Sequence, residues 1–245
     1  MNFKNLVLAI IFSAGFFFSC DSQMKNVSLQ TTEDSLSYSI GLKVAENVAA
    51  DFQKQGIDTI MNLDAVLAGM RHEFLDGDKK MTSKEAEKVM NEYFQALQVE
   101  RKKERDKQAV ENLKKGEEFL AENKKKENVQ VMESGLQYIV MEEGTGPKPK
   151  ADDIVKAHYH GMLMDGTVFD SSVERGQPFK TKVNGVIKGW QEALQNMKVG
   201  SKWKIFVPPH LAYGERGAGE VIGPNETLVF EMELLSIEEK PEQKK

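Results

Sequence analysis

Between Tyr159 and Phe230 the chain sets out eight aromatic residues: Tyr159, Phe169, Phe179, Trp190, Trp203, Phe206, Tyr213 and Phe230. A single well-placed acid accompanies them in Phe169-Asp170-Ser171-Ser172, with no suitable nucleophile or metal cluster nearby. Residues of these types work by shape and dryness rather than by acid–base or covalent chemistry. An aromatic cup with one or two polar handles suits a compact apolar ring such as proline. The same side chains would also fill the bottom of an ordinary β-core, and their spacing has to decide. Trp203 and Phe206 are expected in the core.

Two other clusters are weaker. His158 and His160 stand two apart on one strand face, opposite Tyr159. Zinc would need a third ligand that is not apparent, so a hydrogen-bonded strand histidine is the better reading and no metal is expected. Asp76-Gly77-Asp78 hints at a calcium loop, but the remaining ligand spacing and the bidentate Glu are missing. It reads as a turn.

The length of 245 residues permits one or two domains. With 29% charged and 40% hydrophobic residues, part of the chain should be extended or solvated. A net charge of −5 argues against a nucleic-acid partner, because neutralising phosphates needs a basic excess. The one cysteine, Cys20, rules out a disulfide framework and a Cys-based zinc site.

Cys20 closes a distinctive start. Met1-Asn2-Phe3-Lys4-Asn5 carries one positive charge, and Leu6 to Phe18 is an uninterrupted apolar or small run. That run is too short to span a bilayer comfortably, for which about 20 residues are needed. It reads as a secretory signal over residues 1–19. Ending in Ser19-Cys20, it resembles a bacterial lipoprotein signal, with Phe17 where an aliphatic residue is usual. The resemblance implies lipidation at Cys20 and a membrane-anchored protein of the bacterial envelope, facing the periplasm or the cell surface. A plain signal peptide with an incidental cysteine is the alternative.

The elements follow from periodicity. Residues 20–30 are a polar tether. Leu36, Ile40, Val44 and Val48 recur every four residues after Thr31-Thr32-Glu33-Asp34, an amphipathic helix ending near Gln55-Gly56. A second helix is expected from about Asn62 to Leu75. A third starts at Thr82-Ser83-Lys84-Glu85 in capping-box style. Its apolar seam disappears beyond Glu100, yet no helix breaker occurs until Gly116. Such a stretch is a solvated linker or a long spacer, and thirty to forty helical residues would reach roughly 45–60 Å. The uncovered seams of residues 31–100 call for a homodimer. After Val129 come strands at residues 136–141, 153–160, 203–207 and 227–234, with one helix at 189–197. This is an antiparallel sheet wrapped around a helix, an α+β domain behind an all-α region. Residues 238–245 are a polar tail.

Val155-Lys156-Ala157-His158-Tyr159-His160-Gly161, Gly166-Thr167-Val168-Phe169-Asp170-Ser171-Ser172, Gly176-Gln177-Pro178-Phe179, Val186-Ile187-Lys188-Gly189-Trp190, Leu211-Ala212-Tyr213-Gly214 and Thr227-Leu228-Val229-Phe230-Glu231 occur in that order. Together they resemble an FKBP-type peptidyl-prolyl cis–trans isomerase domain, over about residues 134–237. The helical region is similar to the dimerisation segment of secreted FKBPs of the macrophage-infectivity-potentiator type. The implied division is 31–128 for the helical dimerisation region with its spacer and 129–237 for the isomerase domain.

The resemblance implies a proline ring lying on the Trp190 indole, walled by Tyr159, Phe169, Phe179, Val186, Ile187, Val221, Ile222 and Phe230. It also implies donors to substrate carbonyls at the Ile187 N–H and the Tyr213 hydroxyl. Asp170 would be the pocket acid, oriented by Tyr159 and Arg175. No cofactor is implied. Proline-containing polypeptides and unfolded client proteins are the implied partners, with a chaperone role for the helical dimer and macrolide inhibitors as candidate pocket ligands. Ala218 and Gly223-Pro224 depart from the usual loop and bear on rate and sequence preference.

Overall fold

The computed structural model describes residues 27–75 and 77–238. The expected signal, Cys20, the first part of the tether, Asp76 and residues 239–245 lie outside the described residues. The chain forms two compact units that divide between Thr82 and Ser83.

In the first unit, helix α1 (Thr32–Gln55) begins on a reciprocal capping box. Thr31 Oγ1 accepts from the Asp34 N–H at 3.0 Å, and Asp34 returns the bond to the Thr31 N–H at 3.1 Å. Glu33 and Asp34 in the first turn and Lys54 in the last complement the helix dipole, and the helix stops at Gly56. Helix α2 (Leu63–Phe74) is capped by Asn62, whose Oδ1 accepts from the Ala65 N–H at 3.1 Å. Neither helix buries a residue. Leu36, Ile40 and Phe74 are 60%, 56% and 78% exposed, so the apolar seams read from the sequence stand uncovered.

The second unit opens with helix α3 (Ser83–Asn123) and continues as a seven-stranded antiparallel sheet. Its strands are β1 (Gln130–Val131), β2 (Gln137–Glu142), β3 (Ile154–Leu163), β4 (Val168–Ser171), β5 (Phe179–Lys182), β6 (Lys202–Val207) and β7 (Leu228–Glu238), in the order β1-β2-β6-β7-β3-β4 with β5 also on β3. The four long strands and helix α4 (Lys188–Asn196) are those the sequence predicts. The short β1, β4 and β5 offer too few residues for a periodic signal.

Alternation builds the core. Val155 and Tyr159 of β3, Ile205 and Val207 of β6, and Leu228, Phe230, Met232 and Leu234 of β7 turn inward and are buried. They meet Trp190, Ala193 and Leu194 of α4. Full burial of one such aliphatic side chain contributes roughly 1.5–3 kcal/mol. Trp203 joins this core as expected, stacked on Tyr138 with ring centroids 4.4 Å apart.

Phe206 does not join it. It is buried, but it pairs with Val229 on the opposite sheet face from Ile205 and Phe230. There it meets Phe119 of α3 at 5.8 Å between centroids. The later turns of α3 are therefore packed against the sheet rather than solvated as a spacer would be. Asn123 Nδ2 donates to Gln137 Oε1 at 3.0 Å, and Gln137 Nε2 donates to the Leu120 carbonyl at 2.8 Å. Gly116 does not break the helix; a Cβ there would lie 2.3 Å from Thr227 Oγ1, so only glycine permits this approach. Docking by amides and a glycine leaves no trace in hydrophobic periodicity, which is why this stretch reads as polar all round.

Candidate active site

Seven segments converge at one end of α4. Strand β3 supplies Tyr159, β4 supplies Phe169 and Asp170, β5 supplies Phe179, and β7 supplies Phe230. A 3₁₀ turn at Val183–Gly185 leads into Val186 and Ile187, α4 brings Trp190, and the loop after β6 brings Tyr213. With Gly185 they line a cavity of about 490 Å³, a size typical of small-ligand sites.

Trp190 is the hub. The rings of Tyr159, Phe230 and Phe179 stand 5.0, 5.3 and 6.3 Å from it, at 81°, 82° and 79°. Edge-on pairs of this kind contribute about 0.5–1.5 kcal/mol each beyond their buried area. The indole Nε1–H is buried without a partner among the described residues, so packing alone holds the ring. Phe169 and Phe230 form a further edge-on pair at 5.5 Å. Gly161 makes room for it: a Cβ there would lie 2.7 Å from Phe169 Cε2 and 2.9 Å from Phe230 Cε1.

The polar groups are few and directed. Ile187 is the N-cap of α4, and its carbonyl accepts from the Trp190 and Gln191 N–H groups at 3.0 and 3.1 Å. Its own N–H makes no hydrogen bond among the described residues. It points a free donor from the positive end of a helix. Gln191 Nε2 donates to the Val186 carbonyl at 2.7 Å and steadies this segment.

At the cup's edge the Tyr159 hydroxyl donates to Asp170 Oδ2, and Arg175 donates to Asp170 Oδ1 and, at 3.0 Å, to the Tyr159 oxygen. Burial alone would raise the Asp170 carboxyl, but the bonds from Tyr159 and Arg175 and the guanidinium charge outweigh it and hold the group below its ordinary value. Burial and the bond to Asp170 push the Tyr159 phenol up. Burial and the Asp170 charge do the same to Tyr213. The edge is thus a carboxylate, a guanidinium and neutral phenols.

The structure brings Asp170, Tyr213, Trp190, Ile187, Tyr159, Phe169, Phe179, Val186 and Phe230 to one cavity. Arg175 stands behind Asp170 rather than on the lining. Val221 and Ile222, expected on the wall, are not on it. Ala218 and Ile222 exchange backbone bonds of 2.9 and 3.1 Å, and this closed turn packs Ile222 into the core and leaves Val221 46% exposed. Two lining or supporting residues escaped the sequence reading. Gly185 has no side chain to signal its place. Buried Ser172 accepts from the Tyr159 N–H through Oγ at 2.8 Å and bonds His158 Nδ1 at 3.1 Å, pinning the tyrosine's backbone. His160 Nδ1 meets Ser171 Oγ at 3.0 Å.

Residues 146–235 match the family model of the FKBP-type peptidyl-prolyl cis-trans isomerase, and residues 33–140 match that of the domain amino terminal to it. The FKBP-type peptidyl-prolyl cis-trans isomerase FkpA of Aeromonas hydrophila is 49% identical over 207 residues, 84% of this chain and 76% of that protein. The chain belongs to the FKBP family of peptidyl-prolyl cis–trans isomerases. This FKBP is also 44% identical to the Outer membrane protein MIP of Legionella longbeachae, over 86% of this chain and 88% of that one. The crystal structure of FkpA from Escherichia coli superposes with a TM-score of 0.62 at 34% identity, covering 87% of this chain and all (100%) of that one. As an FKBP-type isomerase it acts on X–Pro bonds of polypeptides.

Proposed function

We propose that this isomerase turns X–Pro bonds in the cup around Trp190, without proton transfer, on unfolded or folding proteins of the cell envelope. The perpendicular rings around Trp190 carry the reading, because they make a flat, dry floor for a pyrrolidine ring. Rotation about the peptide C–N bond meets a barrier of about 18–20 kcal/mol from amide resonance. The X–Pro isomers differ by only about 0.5–1 kcal/mol, so a catalyst need only lower the crossing. Resonance places charge on the carbonyl oxygen, which water stabilises. An apolar cup withdraws that solvation and favours the twisted, less polar amide. The Ile187 N–H and the Tyr213 hydroxyl then hold the flanking carbonyls, and each tenfold in rate needs about 1.4 kcal/mol. Asp170 and Arg175 fix Tyr159 and the rim. A proline-peptide assay of Tyr213→Phe and Asp170→Leu, each slowed while still folded, supports this site; unchanged rates count against it.

A second activity rests on the uncovered seams of α1 and α2. A homodimer through these helices would bury Leu36, Ile40 and their neighbours and form a cradle for unfolded chains. Ile40→Lys in the full chain should shift sedimentation to the monomer and weaken suppression of client aggregation, with peptide isomerisation retained. Attachment to an envelope membrane through lipidated Cys20 fits the sequence and the outer-membrane name of the Legionella relative. Loss of acyl incorporation in Cys20→Ser tests it. Macrolide inhibitors fit the same cup by its size and apolar lining, and would compete with peptide.

A further inference from the structure

The loop from Gly214 to Glu226, which follows Tyr213, is held at both ends by α3. Arg105 Nη2 donates to the Glu215 carbonyl at 3.3 Å and to the Arg216 carbonyl. One turn on, the Ala109 carbonyl accepts from Asn225 Nδ2 at 3.3 Å. Asn112 Nδ2 then donates to the Pro224 carbonyl at 2.9 Å and to Glu226 Oε1 at 2.8 Å. Positions 105, 109 and 112 are four and three apart, so they form one stripe on the helix.

Asn225 links this stripe to the cup. Its φ of 54° is the only positive value for a non-glycine among the described residues. Such a conformation persists where its surroundings over-determine it. Here the Ala109 carbonyl holds its side chain, while its N–H donates to the Gly214 carbonyl at 2.8 Å. Gly214 adjoins Tyr213, which lines the cup and feels the Asp170 charge. An unbroken series of bonds therefore runs from α3 through Asn225 to the residue that presents the phenol.

We propose that Arg105 and Asn112 are positioning residues for catalysis: by clamping the Gly214 to Glu226 loop onto α3, they fix where the Tyr213 hydroxyl stands at the rim. The inference rests on Tyr213 donating to the substrate. Helix α3 is then part of the catalytic apparatus as well as a connector.

The test is a double-mutant cycle in the full chain on a proline peptide, with thermal melts alongside. Arg105→Ala and Asn112→Ala should each lower kcat/KM about three- to tenfold. Arg105→Lys, which keeps a donor, should recover part of that loss. Combined with Tyr213→Phe, neither alanine should slow the enzyme further. If Tyr213→Phe is slowed and the alanine losses multiply with it, α3 only stiffens the domain and the inference fails alone. If Tyr213→Phe runs at the wild-type rate, the role of Tyr213 fails and takes this inference with it. Arg105 is exposed, so its variant keeps the test decisive should Asn112→Ala not fold.

Discussion

The Tyr159 hydroxyl donates to Asp170 Oδ2 across the paired strands β3 and β4. Arg175 bonds both partners, so the Asp170 carboxylate is held ionised and the Tyr159 proton is committed to it rather than to a substrate. The trio sets the shape and charge of the cup's edge, and the rotation itself is left to the aromatic floor and the directed donors.

A flat pH profile follows. Asp170 has a folded pKa below its unfolded value near 3.9, so its contribution to stability is complete above that value and fades as pH falls through the folded one. Tyr159 has a raised folded pKa, so its contribution is complete below about 10 and is lost as pH rises further. Stability from this edge and kcat/KM on an uncharged proline peptide should both hold level from about pH 5 to 9. That stability should fade below about 4, and kcat/KM only as pH passes the lowered pKa of folded Asp170. A bell centred near neutrality would point to acid–base catalysis instead.

Trp190 carries structure and function together. Trp190→Ala should destabilise the second unit by about 3–5 kcal/mol, since a buried hub of three ring contacts is emptied. Trp190→Phe, which keeps a ring, should unfold at a denaturant midpoint between those two and isomerise about tenfold more slowly than wild type. Urea titration and the peptide assay read both.

Gly161→Ala should close the cup from the outside. The added methyl meets Phe169 and Phe230 at under 3 Å, with contacts of 2.7, 2.8 and 2.9 Å. Overpacking of this kind costs about 1–3 kcal/mol, and both rings must shift into the cavity. A rise in KM larger than any fall in kcat is the expected signature in steady-state kinetics.

Much of this site was legible because its residues have chemistry in their side chains and fixed spacing along strands. Tyr159 stands between His158 and His160, Phe230 precedes Glu231 in a strand-like run and Trp190 opens a helix, and Asp170 is the acid beside them. What hid from the sequence lacks such a signal. Gly185 lines the cavity with backbone, Ser172 acts through one hydroxyl on a distant N–H, and the side chain of Ile222 follows a turn whose closure depends on non-local geometry. The docking of α3 hid for a related reason. Asn112 is buried against the loop at Pro224 and Glu226, Gly116 against Thr227 and Asn123 against Gln137 of β2, yet all three look like surface residues.

Gly116→Ala shows which effect wins there. In an exposed helix the change would stabilise by about 1 kcal/mol. Against fully buried Thr227, at 2.3 Å, the methyl should instead destabilise by about 1–3 kcal/mol. Thermal unfolding of the full chain decides the sign.

The most direct measurement is proline-peptide isomerisation by the full chain and by an Asp170→Leu, Trp190→Phe double variant, each first shown to unfold cooperatively. A folded double variant should turn over at least about tenfold more slowly than wild type. A folded double variant working at the wild-type rate would place catalysis outside the cup.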